Sequence, residues 1–171
     1  MSPRAAWRLE ALGFGEVLHY AGGVADWMAS GLAIEGTMAD DLHVAAVARA
    51  DAPTCAPSET VAQIRERLRG TEWDVCFVVN AQRILMGRMG PRELPGADPD
   101  ALADDVMRPG PVTYRPDFRA DQLLDVMEQR EVTVTPITTS EGVFIGAVRR
   151  EDLQRAVARP KHHEHLKDEV T

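Results

Sequence analysis

Residues 53–94, PTCAPSETVAQIRERLRGTEWDVCFVVNAQRILMGRMGPREL, and residues 112–153, VTYRPDFRADQLLDVMEQREVTVTPITTSEGVFIGAVRREDL, carry one pattern twice, 59 positions apart and without a gap. Thr54 and Pro57 fall on Thr113 and Pro116, Gln63 on Gln122, Val75 on Val134, Gly87 on Gly146 and Leu94 on Leu153. Glu93 falls on Asp152, which keeps the carboxylate. An ungapped register of this length points to a duplicated unit. Two copies are too few for a solenoid. They imply one pseudo-symmetric domain with its chemistry in the cleft between the halves.

Each copy reads in the same order. A short strand (Thr54-Cys55, Thr113-Tyr114) meets Pro57 or Pro116, which turns the chain. Ser58 and Asp117 are suited to cap the helix that follows. That helix shows Val61, Ile64 and Leu68 in the first copy, and Ala120, Leu123, Leu124 and Met127 in the second, the spacing of a half-buried face. Two β-rich runs come next, 75–79 with 84–89 and 132–138 with 143–148, with turns at Asn80-Ala81-Gln82 and Ser140-Glu141-Gly142. A closing helix follows, clearest over 150–158. The reading is β-α-β-β-α, twice.

Composition bounds the rest. The chain has 171 residues, 44% of them hydrophobic, with only nine aromatics, so aliphatic side chains and alanine must fill the core. No apolar run approaches the ~18 residues that span a bilayer, and no signal-peptide pattern opens the chain, so a soluble cytoplasmic protein is expected. A net charge of −8 argues against a nucleic-acid surface. It leaves room for one phosphorylated small molecule, because a local pair of arginines holds an anion within an acidic protein. Cys55 and Cys76 lack metal-ligand spacing and read as buried, inert thiols.

The repeat resembles a tandem pair of CBS domains, the regulatory unit called a Bateman module. Met107-Arg108-Pro109-Gly110-Pro111-Val112-Thr113-Tyr114-Arg115-Pro116 is similar to the family's opening phrase, and Gly146-Ala147-Val148-Arg149-Arg150-Glu151-Asp152-Leu153 to its closing one. The resemblance covers about residues 38–158. It implies an α+β fold of two pseudo-symmetric β-α-β-β-α repeats packed side by side, with clefts that take adenosine-containing ligands such as AMP, ATP or S-adenosylmethionine. Asp152 stands where the family keeps a carboxylate for the ribose diol, with Glu93 as its longer substitute. Thr54 and Thr113, with nearby backbone groups, would hydrogen-bond the base, and Tyr114 is counted among the ligand-binding residues; Arg149 with Arg150, or Arg88 with Arg92, would meet phosphates. The closing motif's usual Ser or Thr is Gly90 in copy one and Arg149 in copy two. The copy-one cleft therefore resembles a degenerate site, and a ligand is expected in the copy-two cleft at Asp152.

Residues 1–36 resemble something else. Arg4-Ala5-Ala6-Trp7-Arg8-Leu9-Glu10-Ala11-Leu12-Gly13-Phe14, with Val17-Leu18-His19-Tyr20-Ala21-Gly22-Gly23 and Asp26-Trp27, is similar to the closing quarter of a rhodanese domain. This segment reads as a short α-β-α appendage: a helix over 2–12 ended by Gly13, a strand over 16–20 and a helix over 24–30. The persulfide-bearing cysteine would precede Met1. The start is thus either internal to a longer rhodanese–CBS protein or marks a relic kept as packing.

The expected divisions are 1–36 appendage, 37–50 connector, 51–99 first repeat, 100–158 second repeat and 159–171 charged tail. His162-His163-Glu164-His165 in that tail reads as solvated, not as a metal site. The expected function is a non-catalytic regulatory module binding an adenine nucleotide, with no required cofactor or metal, as a homodimer. The alternatives are a ligand-free dimerisation scaffold, or a piece of a sulfurtransferase.

Overall fold

The structure is a computed structural model that describes residues 8–17, 27 and 42–158. Most of the expected appendage and the whole histidine tail lie outside these residues. Where the appendage is described, residues 8–11 are helical and the turn ends at Gly13, whose φ of 95° suits glycine.

Two sheets and four helices follow the repeat. The first copy contains β1 (Thr54–Cys55), α1 (Val61–Leu68), β2 (Cys76–Val79) and β3 (Leu85–Met89). Then come α2 (Ala103–Val106) and β4 (Arg108–Pro109), and the second copy supplies α3 (Ala120–Gln129), β5 (Val134–Thr138), β6 (Phe144–Arg149) and α4 (Arg150–Val157). One sheet has the order β1-β2-β3-β4, with β1 parallel to β2 and the other pairs antiparallel. The other is the β5-β6 pair, extended by a parallel bridge from Tyr114 to Ile137 and an antiparallel bridge from Arg49 to Ala147.

The repeat's offset of 59 turns this list into a symmetry. Ile84 bridges Val143, its own counterpart, so the pseudo-twofold axis passes between them. On either side Leu85 N–H donates to Gly142 O (3.0 Å) and Phe144 N–H donates to Arg83 O (2.8 Å), a pair that the same axis exchanges. Around it Trp73, Val75 and Phe77 of copy one pack with Val134, Phe144 and Ala147 of copy two, and the Phe77 and Phe144 rings lie 4.9 Å apart.

The segment leading into each copy does not pack on that copy. Arg108–Pro109, which leads into copy two, is the edge strand of copy one's sheet, while Arg49, which leads into copy one, pairs with β6 of copy two. The crossing extends upstream. Val44 of the 3-10 turn Val44–Ala46 is buried in the core of copy two, among Leu123, Ile137 and Leu153. Its counterpart Ala103 is buried in the core of copy one, among Val61, Ile64 and Met89. Ala120 N–H donates to Leu42 O (2.8 Å), and Val61 N–H donates to Ala101 O (3.0 Å). The structural register therefore opens at Leu42, within the segment read as a connector.

Gly87 and Gly146 owe their shared place to this exchange. A Cβ on Gly146 would stand 2.5 Å from the Arg49 carbonyl oxygen, and one on Gly87 would strike the Met107 sulfur. Only glycine lets the crossing strand approach so closely.

Three local expectations are corrected. The first helix is capped by Thr60, not Ser58, in a capping box with Gln63, because Ala56–Glu59 already forms a turn closed by the Glu59 side chain. In copy two the cap position is Arg119 rather than Asp117, and the entering Ala120 N–H is met by the crossing backbone instead of a side chain. The closing helix of copy one is a single turn, in which Glu93 and Leu94 N–H both donate to Gly90 O. Pro95 and Gly96 stop it there, although Leu94 still reaches the core as Leu153 does.

Cys55 and Cys76 are buried and free, with the Cys55 thiol pushed up by its hydrogen bond to Cys76 and by burial. Among the described residues no helix is long and apolar enough to cross a membrane, and no His, Cys, Asp or Glu cluster is suited to a metal ion.

Candidate ligand-binding site

Crossing the leading segments has a direct consequence for the clefts: each joins the closing motif of one copy to the opening motif of the other. The first cleft is open, a cavity of about 460 Å³. The end of β3 and its turn supply Arg88, Gly90, Arg92 and Glu93; the crossing segment supplies Arg108, Pro111 and Val112, and Tyr114 follows where the chain has joined β5. The loop from α3 into β5 adds Arg130, Glu131, Val132 and Thr133. Glu93 Oε2 accepts the Gly90 N–H at 2.9 Å, so this carboxylate also holds its own turn together. Arg88, Arg92, Arg108 and Arg130 have no carboxylate partner among the described residues.

The symmetry-related cleft is filled from within. The twins of Arg108, Glu131 and Glu93 are Arg49, Glu72 and Asp152, while Val132 is replaced by Trp73 and Gly90 by Arg149. Arg49 grips Asp51 with two hydrogen bonds (3.0 and 2.6 Å) and donates to Glu72 Oε2 at 2.7 Å. Arg149 donates to the same Glu72 oxygen at 3.0 Å and pairs with Glu151. Both guanidinium groups lie against the Trp73 ring, 5.2 and 6.0 Å from its centroid, and the residue is 5% exposed. Asp152 gives one oxygen to Arg155 at 2.5 Å. The other is buried without a hydrogen bond, 4.0 Å from Arg49.

Hydrogen bonds from Arg49 hold Asp51 and Glu72 below the ordinary carboxylate range. A lowered folded value stabilises the protein above the unfolded carboxylate range, and that contribution is lost as pH falls through the folded values. Carboxyl-carbon NMR titration should show both groups ionising below their ordinary values, with Asp51 moving back toward its own in Arg49→Gln. Unchanged titration of Asp51 in that variant would dismiss the pairing.

The expected site residues are thus divided. Arg92, Glu93 and Tyr114 line the open cavity, as does Arg88, while Asp152 and Arg149 belong to the filled cleft. Thr113 is exposed and lies outside the cavity lining. Thr54 is half-buried in β1, with its carbonyl accepting from Arg67 at 2.6 Å. Arg150 opens α4, and its N–H donates to Thr133 O. The sequence reading ranked the two clefts by the preserved carboxylate. The structure opens the cleft at Glu93 and packs the one at Asp152. Arg130 and Val132 were not singled out; aligning the two clefts residue by residue, with the crossing in place, would have exposed both.

Comparison with protein families matches residues 103–159 to the CBS domain. A CBS domain therefore occupies the second repeat. An uncharacterized protein of Methanopyrus kandleri, MK0525, is 27% identical over 119 residues, which are 66% of this chain and 61% of that protein. The chain thus spans less than two thirds of this relative's length. Among solved structures, the CBS domains of a transcriptional regulator from Streptococcus pneumoniae align with a TM-score of 0.63 at 18% identity, covering 67% of this chain and 98% of that one. The cytosolic domain of the Mg2+ channel MgtE in complex with ATP aligns at 0.62 and 23% identity, over 70% of this chain and 51% of that one. CBSX2 in complex with AMP aligns at 0.61 and 17%, over 68% and 96%. These likenesses establish the fold, an α+β arrangement like that of CBS-domain pairs.

Proposed function

We propose that this CBS pair is a regulatory module that takes an adenosine-containing nucleotide in the open cleft, with its phosphate chain against Arg88, Arg92, Arg108 and Arg130. The carrying observation is those four uncommitted guanidinium groups in one cavity of a chain whose net charge is −8. Arginine left without carboxylates at a cavity is suited to bind phosphate oxygens, often in pairs of bonds. The cavity volume falls in the roughly 300–1,000 Å³ range of small-molecule sites. Val132, Val126 and Pro136 offer an apolar wall for a base, and Glu93 keeps Oε1 for a ribose hydroxyl. The ligands of MgtE and CBSX2, ATP and AMP, support the same class. S-adenosylmethionine, with its cationic sulfonium, suits four guanidinium groups poorly.

Calorimetry tests this reading. Affinity should rise in the order adenosine, AMP, ATP, and the ATP affinity should fall as salt screens the charges. Arg108→Gln and Arg130→Gln should each weaken ATP about tenfold, equivalent to ~1.4 kcal/mol, and leave adenosine nearly unchanged. Equal affinities for adenosine and ATP would dismiss the phosphate assignment.

A further inference from the structure

We propose that Trp73 is an internal stand-in for a ligand ring, so that the Asp152 cleft is a latent purine-nucleoside site and the native chain binds one ligand where its symmetry offers two. The inference rests on the reading that the open cleft binds a nucleotide. Trp73 occupies the twin position of Val132, which lines the open cavity, and its flat ring is buried against the guanidinium groups of Arg49 and Arg149. One polar atom in this cluster, Asp152 Oδ2, is buried without a hydrogen bond. A buried orphan acceptor is costly, and Asp152 is the residue whose twin, Glu93, faces the open cavity. The packing reproduces what a nucleoside would need, a flat ring beside two cations together with a carboxylate acceptor for a diol, with an indole in the ring's place.

The two clefts have diverged in charge as well. Arg49 and Arg149 are matched by Asp51, Glu72 and Glu151, whereas the open cleft's arginines are unmatched. The latent site therefore has little surplus charge for phosphates, and an uncharged nucleoside suits it better than a triphosphate.

Trp73→Val installs the residue of the open cleft at its twin. Titrations of the native chain and the variant with ATP and with adenosine should give one site in the native chain. The variant should show a second, weaker site that prefers adenosine, and adding Asp152→Asn to the variant should abolish that second site. Circular dichroism and an unchanged first-site ATP affinity establish that the variant is folded; if it is not, Trp73→Leu, which keeps buried apolar contact, serves for the same measurement. Two sites in the native chain, or one site in a folded variant, would overturn the inference while leaving the open cleft's assignment standing. No binding by either protein would overturn both.

Discussion

Gly146→Ala is expected to destabilise the protein by about 3 kcal/mol, the upper end for overpacking a filled interior, and to lower its thermal midpoint by roughly 10 °C. The added Cβ would meet the Arg49 carbonyl oxygen at 2.5 Å and its carbon at 3.0 Å, both main-chain atoms that cannot rotate aside. To make room the crossing strand must lift, losing the two hydrogen bonds that Arg49 and Ala147 exchange at 2.8 and 3.0 Å. Arg49 would also shift against Trp73, loosening the filled cleft. Gly87→Ala should cost less, because its closest neighbour is the flexible Met107 side chain, and Gly96→Ala, with open space around it, should cost almost nothing. Chemical denaturation of the three variants checks the order. A Gly146→Ala protein as stable as the native one would show that the crossing strand does not bear on this glycine.

Val132→Trp should abolish nucleotide binding, lowering affinity at least a hundredfold. The substitution copies into the open cleft the residue that fills its twin. An indole there would lie beside Arg108 as Trp73 lies beside Arg49, and would take the room available to a base. Val132 is half-buried at the cavity wall, so the larger ring can enter the cavity without splitting the core behind it. Calorimetry with ATP on a variant shown by circular dichroism to be folded gives the answer. Undiminished affinity would place the ligand elsewhere and remove the open cleft from consideration.

The repeat was legible because hydrophobic period and turn chemistry are local properties. Val61, Ile64 and Leu68 declare a helix; β2, β3 and β5 fall inside the runs read as strands, and β6 overruns its own by one residue, Arg149. Capping was less legible. Thr60 and Gln63 carry a local capping-box signal that the choice of Ser58 passed over, whereas at Asp117 the backbone of Leu42 meets the helix entry, and nothing local announces a partner so far along the chain. The one-turn end of copy one was written in Pro95 and Gly96, which the register with copy two overshadowed. The site was half legible. Glu93, Arg92 and Tyr114 were named, yet which motif faces which depends on the crossing of the leading segments. The two clefts also differ at Val132 and Trp73, a position that belongs to neither motif.

The crossing also bears on dissection. A single 59-residue unit would present an edge of β3 with no strand to cover it, and a leading segment with no core of its own to enter. Such a unit is complete only when a second copy supplies the missing edge and the missing core. Cutting between the repeats should not release two domains, since each fragment would carry the other's missing edge.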